Sequence, residues 1–226
     1  MKKLFNNVIL GMFSIFVRVK GFKMVTVSTE QEFADAMSVR HDVHTVEEGW
    51  SYPAECSRWI DDHYKNATIF LTYYQSEPIA TVAIFDPKHA NRLYDGFGIN
   101  QDCEYHEIGG LAIKKDFRSG QMLVLLSIYC QLYRYSTKQN IHKWIALSSR
   151  VFVRGVEKLV PSIEMVALNL EQGTDQAGVL YHKAMLQFVP QIVCYKVNLR
   201  SISLWYIAKQ AMRYTLKESF HKLGLR

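Results

Sequence analysis

The sequence predicts an α/β domain built on a central mixed, twisted sheet with helices on its faces. Two observations carry that expectation. From residue 104 onward, short runs of β-branched and aromatic residues alternate with helical periodicities, the pattern of strands joined by helical crossovers. Ahead of them, ATIFLTYY and PIATVAIFD are separated only by the turn residues Gln75, Ser76 and Glu77, which predicts an antiparallel hairpin. A sheet that holds both kinds of connection is mixed.

The 226 residues, 49% of them apolar, suffice for one sizeable core, and no shift of composition divides the chain into comparable halves. The expected organisation is an N-terminal amphipathic extension over 1–23, a main domain over 24–200 and a basic amphipathic helix over 201–226. A net charge of +6 points to an anionic partner such as a phosphate-bearing cofactor, an acidic carrier protein or a membrane surface. No basic recognition helix or aromatic RNA-binding motif accompanies it, so nucleic acid is not expected. Cys56, Cys103, Cys130 and Cys194 form no CxxC pair, which argues against a zinc centre or a disulfide framework and for a reducing cytoplasm.

In chain order, the apolar run Val8 to Val17 falls short of the ~20 residues that span a bilayer. Arg18, Lys20 and Lys23 follow it where a secretory signal keeps small residues. It reads as a helix packed on the domain or as an interfacial segment giving peripheral contact with the inner face of the membrane. Met24 to Val27 is a short strand. Ser28 or Thr29 then caps a helix carrying Glu30 and Glu32 in its first turn and running to about Val46. Phe33, Met37, Arg40, His44 and Glu48 recur on one face of it. His41, His44 and Glu48 have no further ligand nearby, so no metal is expected. A loop with Trp50, Tyr52 and Pro53 leads through the polar segment RWIDDHYKN into the hairpin, and Pro87 to Asn100 reads as a surface loop.

The stretch Glu104 to Gln139, EYHEIGGLAIKKDFRSGQMLVLLSIYCQLYRYSTKQ, is a strand that passes through a basic turn into a long amphipathic helix. That arrangement sets backbone amides and a helix N-terminus where an anion can sit. Beyond it follow the strand HKWIALSS, the helix RVFVRGVEKLVP stopped by Pro161, the strand MVALNL, the helix DQAGVLYHKAMLQF and the last strand QIVCYKVNL.

This order resembles the GNAT acyltransferase superfamily. Locally, the chain is similar to the acyl-homoserine-lactone (autoinducer) synthases and the related N-acyl amino acid synthases. Arg40, His44 and Trp50 stand at the spacing of that family's arginine, phenylalanine and tryptophan, and Asp61 takes the place of its acidic residue. Glu107 to Ile113, EIGGLAI, resembles the family strand Glu-Ile-Ser-Arg-Leu-Ala-Val, and the similarity covers most of residues 24 to 200. Two positions depart from the pattern: His44 replaces a phenylalanine, and Gly110 replaces an arginine of the synthase active-site region. The resemblance therefore implies an N-acyl amino acid or related acylamine as product in preference to a homoserine lactone. It implies no permanently bound cofactor. A long acyl chain would come from an acyl-carrier-protein thioester, with acyl-phosphopantetheine or acyl-CoA as co-substrate, and pass to the amine of an amino acid or similar small amine.

An amine that attacks a thioester must be neutral, so a carboxylate is expected to take its proton, and the leaving thiolate benefits from a donor. Glu107 is the candidate base, with Gly109 and Gly110 clearing room for the thioester. The alternative is a solvent-facing glutamate beside a glycine bulge. Tyr181 resembles the GNAT tyrosine near the leaving sulfur and is the candidate acid. By resemblance, Arg40, Trp50 and Asp61 belong to the acceptor side, Arg40 pairing with Asp61 or with an acceptor carboxylate. GNAT acetyltransferases follow an arginine or glutamine with two glycines that wrap the coenzyme A pyrophosphate. Here Arg118, Ser119, Gly120 and Gln121 supply only one glycine. This shorter loop, with Ile113, Lys114 and Lys115 before it, is the candidate site for the single phosphate of a carrier-bound phosphopantetheine; the alternative is a solvated basic turn. By the same resemblance, Phe152 and Val153, with Leu123, Leu126 and Tyr129, are the candidate lining of an acyl tunnel, although such residues are ordinary core in any domain. An acetyl-CoA-dependent acetyltransferase and a non-catalytic lipid-binding module on the same fold remain alternatives.

Overall fold

The computed structural model describes residues 11, 15, 18–118, 122–157, 160, 163–189 and 191–201. The expected C-terminal helix, most of the N-terminal extension and Pro161 lie outside them. Thr29 opens α1 (Glu30–Arg40) with a capping box: its hydroxyl accepts from the Glu32 amide, and the Glu32 carboxylate takes the Ser28 amide at 2.8 Å and the Thr29 amide at 3.3 Å. The helix then widens into a π-helical turn, His41–Glu47, so the run expected to reach Val46 is continuous but not uniformly α-helical. Across this change of winding, Arg40 and His44 both stay buried.

Seven strands form one sheet in the order β1-β2-β3-β4-β5-β7-β6. They are β1 (Phe22–Thr26), β2 (Ala67–Tyr74), β3 (Glu77–Phe85), β4 (His106–Ile113), β5 (Lys143–Ser149), β6 (Ile163–Val166) and β7 (Ile192–Asn198). The predicted hairpin is β2–β3, turning on Gln75 and Ser76 with φ of 47° and 71°. Every neighbouring pair is antiparallel except β4–β5. That parallel pair is short. His106, Glu107 and Ile108 face Trp144, Ile145 and Ala146; beyond them β4 continues against β3 to Ile113 while β5 continues against β7 to Ser149. The two strands therefore part into a wedge. At the same level β4 bulges: Thr81 pairs with Ala112 and Ala83 with Gly109, so Gly110 and Leu111 together oppose Val82. Gly110 takes φ +63°, a left-handed conformation that suits glycine.

Val124, Ile128 and Leu132 of α4 (Met122–Lys138), with Val153 of α5 (Arg150–Glu157), fill the core on one face of the sheet. On the other face, Ala36 and Val39 of α1 and Tyr64 of α2 (Ala54–Lys65) pack on Leu71, Ala83 and Phe85. Three stretches differ from expectation. Of the strand expected over MVALNL, only Met165 and Val166 fall in β6, and Leu170 opens a 3-10 turn. RWIDDHYKN is helical, because α2 turns Arg58, Asp61, Asp62 and Lys65 to solvent while Cys56, Trp59 and Tyr64 are buried. The supposed surface loop Pro87 to Asn100 contains a short helix, α3 (Arg92–Phe97), capped by Asn91 and closed by Gly98 at φ 67°. Leu93 and Phe97 anchor it against Ile145 and Cys194. The last α-helix among the described residues, α6 (Gln176–Phe188), is capped by Asp175, whose carboxylate accepts from the Gly178 amide at 2.8 Å. Among the described residues, no helix is long and apolar enough to cross a membrane.

Candidate active site

The mouth of the wedge is where the chemistry-bearing side chains converge. Glu107 lies among the last paired residues of β4 and is 4% exposed, so it is not the solvent-facing strand glutamate that the sequence left open. Its Oε1 is 3.6 Å from Nη2 of Arg92, while Oε2 has no partner. Burial raises the Glu107 carboxyl above the usual carboxylate range, against the pull of the Arg92 charge. Arg92 keeps its proton: burial opposes the charge, but Glu107, Tyr181 and Tyr52 outweigh it.

The paired glycines are closely covered by the same cluster. A Cβ on Gly109 would stand 2.8 Å from Oε1 of Glu107 and 3.4 Å from Nη1 of Arg92. One on Gly110 would overlap the Tyr64 hydroxyl and lie 2.7 Å from Nη1 of Arg40. The space where the resembled synthases keep an arginine is thus filled from α1 and α2. Arg40 lies 3.8 Å from the centroid of the Tyr64 ring, and Arg92 lies 4.4 Å from that of Phe85. Burial lowers the Arg40 pKa, Tyr181 opposing and Arg92 adding to the effect. Arg40 does not meet Asp61, which sits on the exposed side of α2. Of the two partners expected for Arg40, Asp61 is thereby ruled out: α2 turns Trp59 and Tyr64 toward the cluster instead.

Aromatic rings wall the cluster. Trp50 stacks on His44 at 4.3 Å and on Phe188 at 6.4 Å, and meets Tyr52 edge-on at 6.4 Å. Tyr181 packs between Tyr52 at 5.1 Å and Trp59 at 5.2 Å. Burial, then the Tyr181 hydroxyl, pushes the Tyr52 phenol up. His182 is fully buried; its Nδ1 donates to the Gly178 carbonyl at 2.8 Å, which leaves Nε2 as an unpaired acceptor. Burial and the Arg92 charge lower its pKa to about 3, so the ring is neutral. His182 needs Gly96, since a Cβ there would overlap its ring. His63 spans the Trp59 carbonyl at 2.7 Å and Asp95 at 3.0 Å, fixing α2 to α3.

Among the described residues, the buried side-chain atoms without a partner are Nη1 of Arg40, Nε and Nη1 of Arg92, Oε2 of Glu107, Nε2 of His182 and the hydroxyls of Tyr52 and Tyr64. Each costs about 1–3 kcal/mol when left unmade. Their concentration beside the wedge is a cluster of polar atoms that water or a polar ligand can satisfy. Arg92, Tyr64 and His182 were not singled out from the sequence. The signal for Arg92 was present in NRLYDGFG: an Asn cap, Leu and Phe four apart, and a closing Gly.

The basic turn after β4 is already neutralised. Arg118 pairs through Nη2 with Glu47 at 2.6 Å and through Nη1 with Glu48 at 3.2 Å, and its Nε donates to the Ile113 carbonyl. The Lys115 amide donates to Glu47 at 3.1 Å, and Lys114 pairs with Glu77 at 2.9 Å. Glu48 also meets His44 at 3.3 Å, so this network reaches the Trp50 stack; burial lowers the His44 pKa, with Glu48 opposing. Ser119, Gly120 and Gln121 lie outside the described residues, as do the side chains of Leu123 and Leu126. Of the candidate tunnel lining, Val153 is in the main core and Phe152 stacks on Tyr129 at 6.5 Å, across the sheet from Glu107.

No protein-family model and no curated protein matches the chain. Solved structures do. FeeM, an N-acyl amino acid synthase from uncultured soil microbes, superposes with a TM-score of 0.56 at 10% identity, over 79% of this chain and 91% of that one. An acetyltransferase from Streptococcus agalactiae gives 0.52 at 7% identity, over 80% of this chain and 99% of the other. At these identities the likeness establishes architecture: the chain has the GNAT acyltransferase fold expected from its sequence.

Proposed function

We propose that the protein is an N-acyltransferase that moves a long acyl chain from the phosphopantetheine thioester of an acyl carrier protein to the amine of an amino acid or similar small amine. The observation that carries this reading is the parting of β4 from β5 beside a buried carboxylate. Beyond Ile108 and Ala146 the facing strand edges do not pair with each other, so the amides of a pantetheine arm can add there as an extra strand would. The thioester then reaches the bulge of β4 beside Glu107.

In this mechanism the amine nitrogen attacks the thioester carbon and loses its proton to Oε2 of Glu107. The C–S bond breaks, and the leaving sulfur takes a proton from the Tyr181 hydroxyl. Burial makes Glu107 a stronger base than an exposed carboxylate. Arg40 and Trp50 are assigned to the acceptor side, and the acyl chain has to pass to the opposite face of the sheet to reach Phe152 and Val153. The short Arg118 loop supports a single phosphate over the pyrophosphate of coenzyme A; that phosphate must compete with Glu47 and Glu48. The likeness to FeeM favours an N-acyl amino acid as product. The four free cysteines suit a cytoplasmic setting, and peripheral membrane contact through the termini rests on their sequence alone.

The test is to incubate the purified protein with acyl carrier proteins of graded chain length, or with the matching acyl-CoA, and pooled amino acids. Thiol release and mass spectrometry of the products are followed together. Acceptor-dependent thiol release with an N-acylated product is expected, faster from the carrier protein. No acceptor-dependent release from either donor removes acyl transfer; equal rates remove the carrier preference.

A further inference from the structure

We infer that His63 and Asp95 are positioning residues of the candidate active site: as an imidazolium–carboxylate pair they hold α2, α3 and α6 together around Glu107, and turnover falls when the ring loses its proton. This rests on the acyl-transfer reading and gives the same site a means of regulation. Nδ1 of His63 lies 2.7 Å from the Trp59 carbonyl, and Nε2 lies 3.0 Å from Oδ2 of Asp95. A carbonyl oxygen can only accept, so Nδ1 carries a proton. An ionised carboxylate can only accept as well, so Nε2 must carry one too. The two bonds together need one proton more than a neutral ring beside a carboxylate provides. Imidazole binds a proton more tightly than a carboxylate does, which puts it on the ring.

Asp95 is the point at which three helices meet. Its Oδ2 also accepts from Nε1 of Trp59 at 3.3 Å, so α2 reaches it twice. Its backbone carbonyl accepts from the Thr174 and Asp175 amides at 2.9 Å and 3.1 Å, directly ahead of α6. A Cβ on Gly178, in the first turn of α6, would stand 2.9 Å from Cβ of Asp95. From this junction α3 presents Arg92 to Glu107, α6 presents Tyr181 and His182, and α2 presents Trp59 and Tyr64. The charged and titratable groups around the ring are Asp95 and Arg92 on α3, Glu107 on β4 and His182 on α6. Side-chain exposures of 14% for His63 and 25% for Asp95 leave the proton a way out to water. A neutral ring keeps its bond to the Trp59 carbonyl and turns a lone pair on the carboxylate. The tie between Asp95 and α2 is then reduced to Nε1 of Trp59, and the Arg92–Glu107 contact loosens with it.

The experiment follows the ring and the activity over one pH range. Nitrogen NMR, with His63 assigned by its loss in His63→Gln, reports the ring protons. In parallel kcat is measured for the wild type, His63→Gln and His63→Ala with the donors and amino acids of the activity assay. Two ring N–H groups are expected at the pH of full activity, and the loss of one should share its midpoint with an alkaline fall in kcat. Glutamine offers the carboxylate an amide donor at every pH, so His63→Gln should stay active and lack that fall. His63→Ala should lower kcat by about 10-fold or more with donor affinity unchanged. A neutral ring at full activity overturns the inference, as does the same alkaline fall in His63→Gln. If His63→Ala does not fold, the wild type and His63→Gln decide. If neither donor is turned over, the acyl-transfer reading fails, and deuterium exchange corrected for its intrinsic pH dependence decides the pair. Faster exchange in α3 and the first turn of α6 as the wild-type ring loses its proton, absent from His63→Gln, supports it; an equal response of both proteins overturns it.

Discussion

Burying Glu107 costs free energy that its 3.6 Å contact with Arg92 offsets only in part. Glu107→Gln should lower kcat by about 10²-fold or more while leaving donor affinity unchanged, as read by acceptor-dependent thiol release and donor binding. Near-normal turnover would remove Glu107 from the mechanism. The same residue predicts a pH signature. Its folded pKa is raised above 4.5, so its stabilising contribution is complete below that value and is lost as pH rises through the folded pKa. Urea unfolding should show Glu107→Gln gaining on the wild type as the pH is raised. His182 has the opposite sign: with a pKa lowered from 6.5 to about 3, it withdraws stability as pH falls below 6.5. His182→Asn, which keeps a donor for the Gly178 carbonyl, should lose less stability than the wild type on acidification. At Gly110 the constraint is steric. Gly110→Ala combines a positive φ with overlap on Tyr64 and should cost about 2–4 kcal/mol, measurable as a lowered denaturation midpoint.

Between residues and fold stands the π-helical turn, His41–Glu47, which carries Arg40 at one end and the Arg118 partners at the other. Because those ion pairs are partly exposed, removing them costs stability little, at most about 1 kcal/mol. Their role shows in binding instead: Glu47→Gln with Glu48→Gln should tighten a phosphopantetheine donor several-fold by freeing Arg118, as read by donor titration, and weaker binding would show that the glutamates merely hold the loop. Elements differ in how far the sequence revealed them. The hairpin, β4 and α6 follow from alternation and spacing; Glu107 can be named from its chemistry, and Arg40, Trp50 and Tyr181 from the family resemblance. α2 was hidden because Arg58, Asp61, Asp62 and Lys65 dominate its composition, although Cys56, Trp59, Ile60, His63 and Tyr64 trace a helical stripe. α3 was hidden by its brevity and by a glycine whose purpose, contact with His182, lies eighty-six positions away in the chain. Arg92 and the unpaired cluster depend on such distant contacts.

For the molecule as a whole, the net charge of +6 gives the proposed carrier-protein donor a test at the encounter step. KM for an acyl carrier protein should rise steeply with ionic strength, whereas KM for the matching acyl-CoA should change less, since fewer charges are screened. A parallel response of the two donors would argue against a docking surface for the carrier. The short β4–β5 pairing also has a mechanical meaning. With three facing positions between them, β1–β4 and β5–β7 are two antiparallel blocks joined along a narrow seam. Such blocks are natural cooperative units of opening, and their amides should exchange with deuterium at separate free energies. A ligand lodged in the wedge would bond to both blocks and stitch them into one, so occupancy should appear as slowed exchange far from any atom it touches.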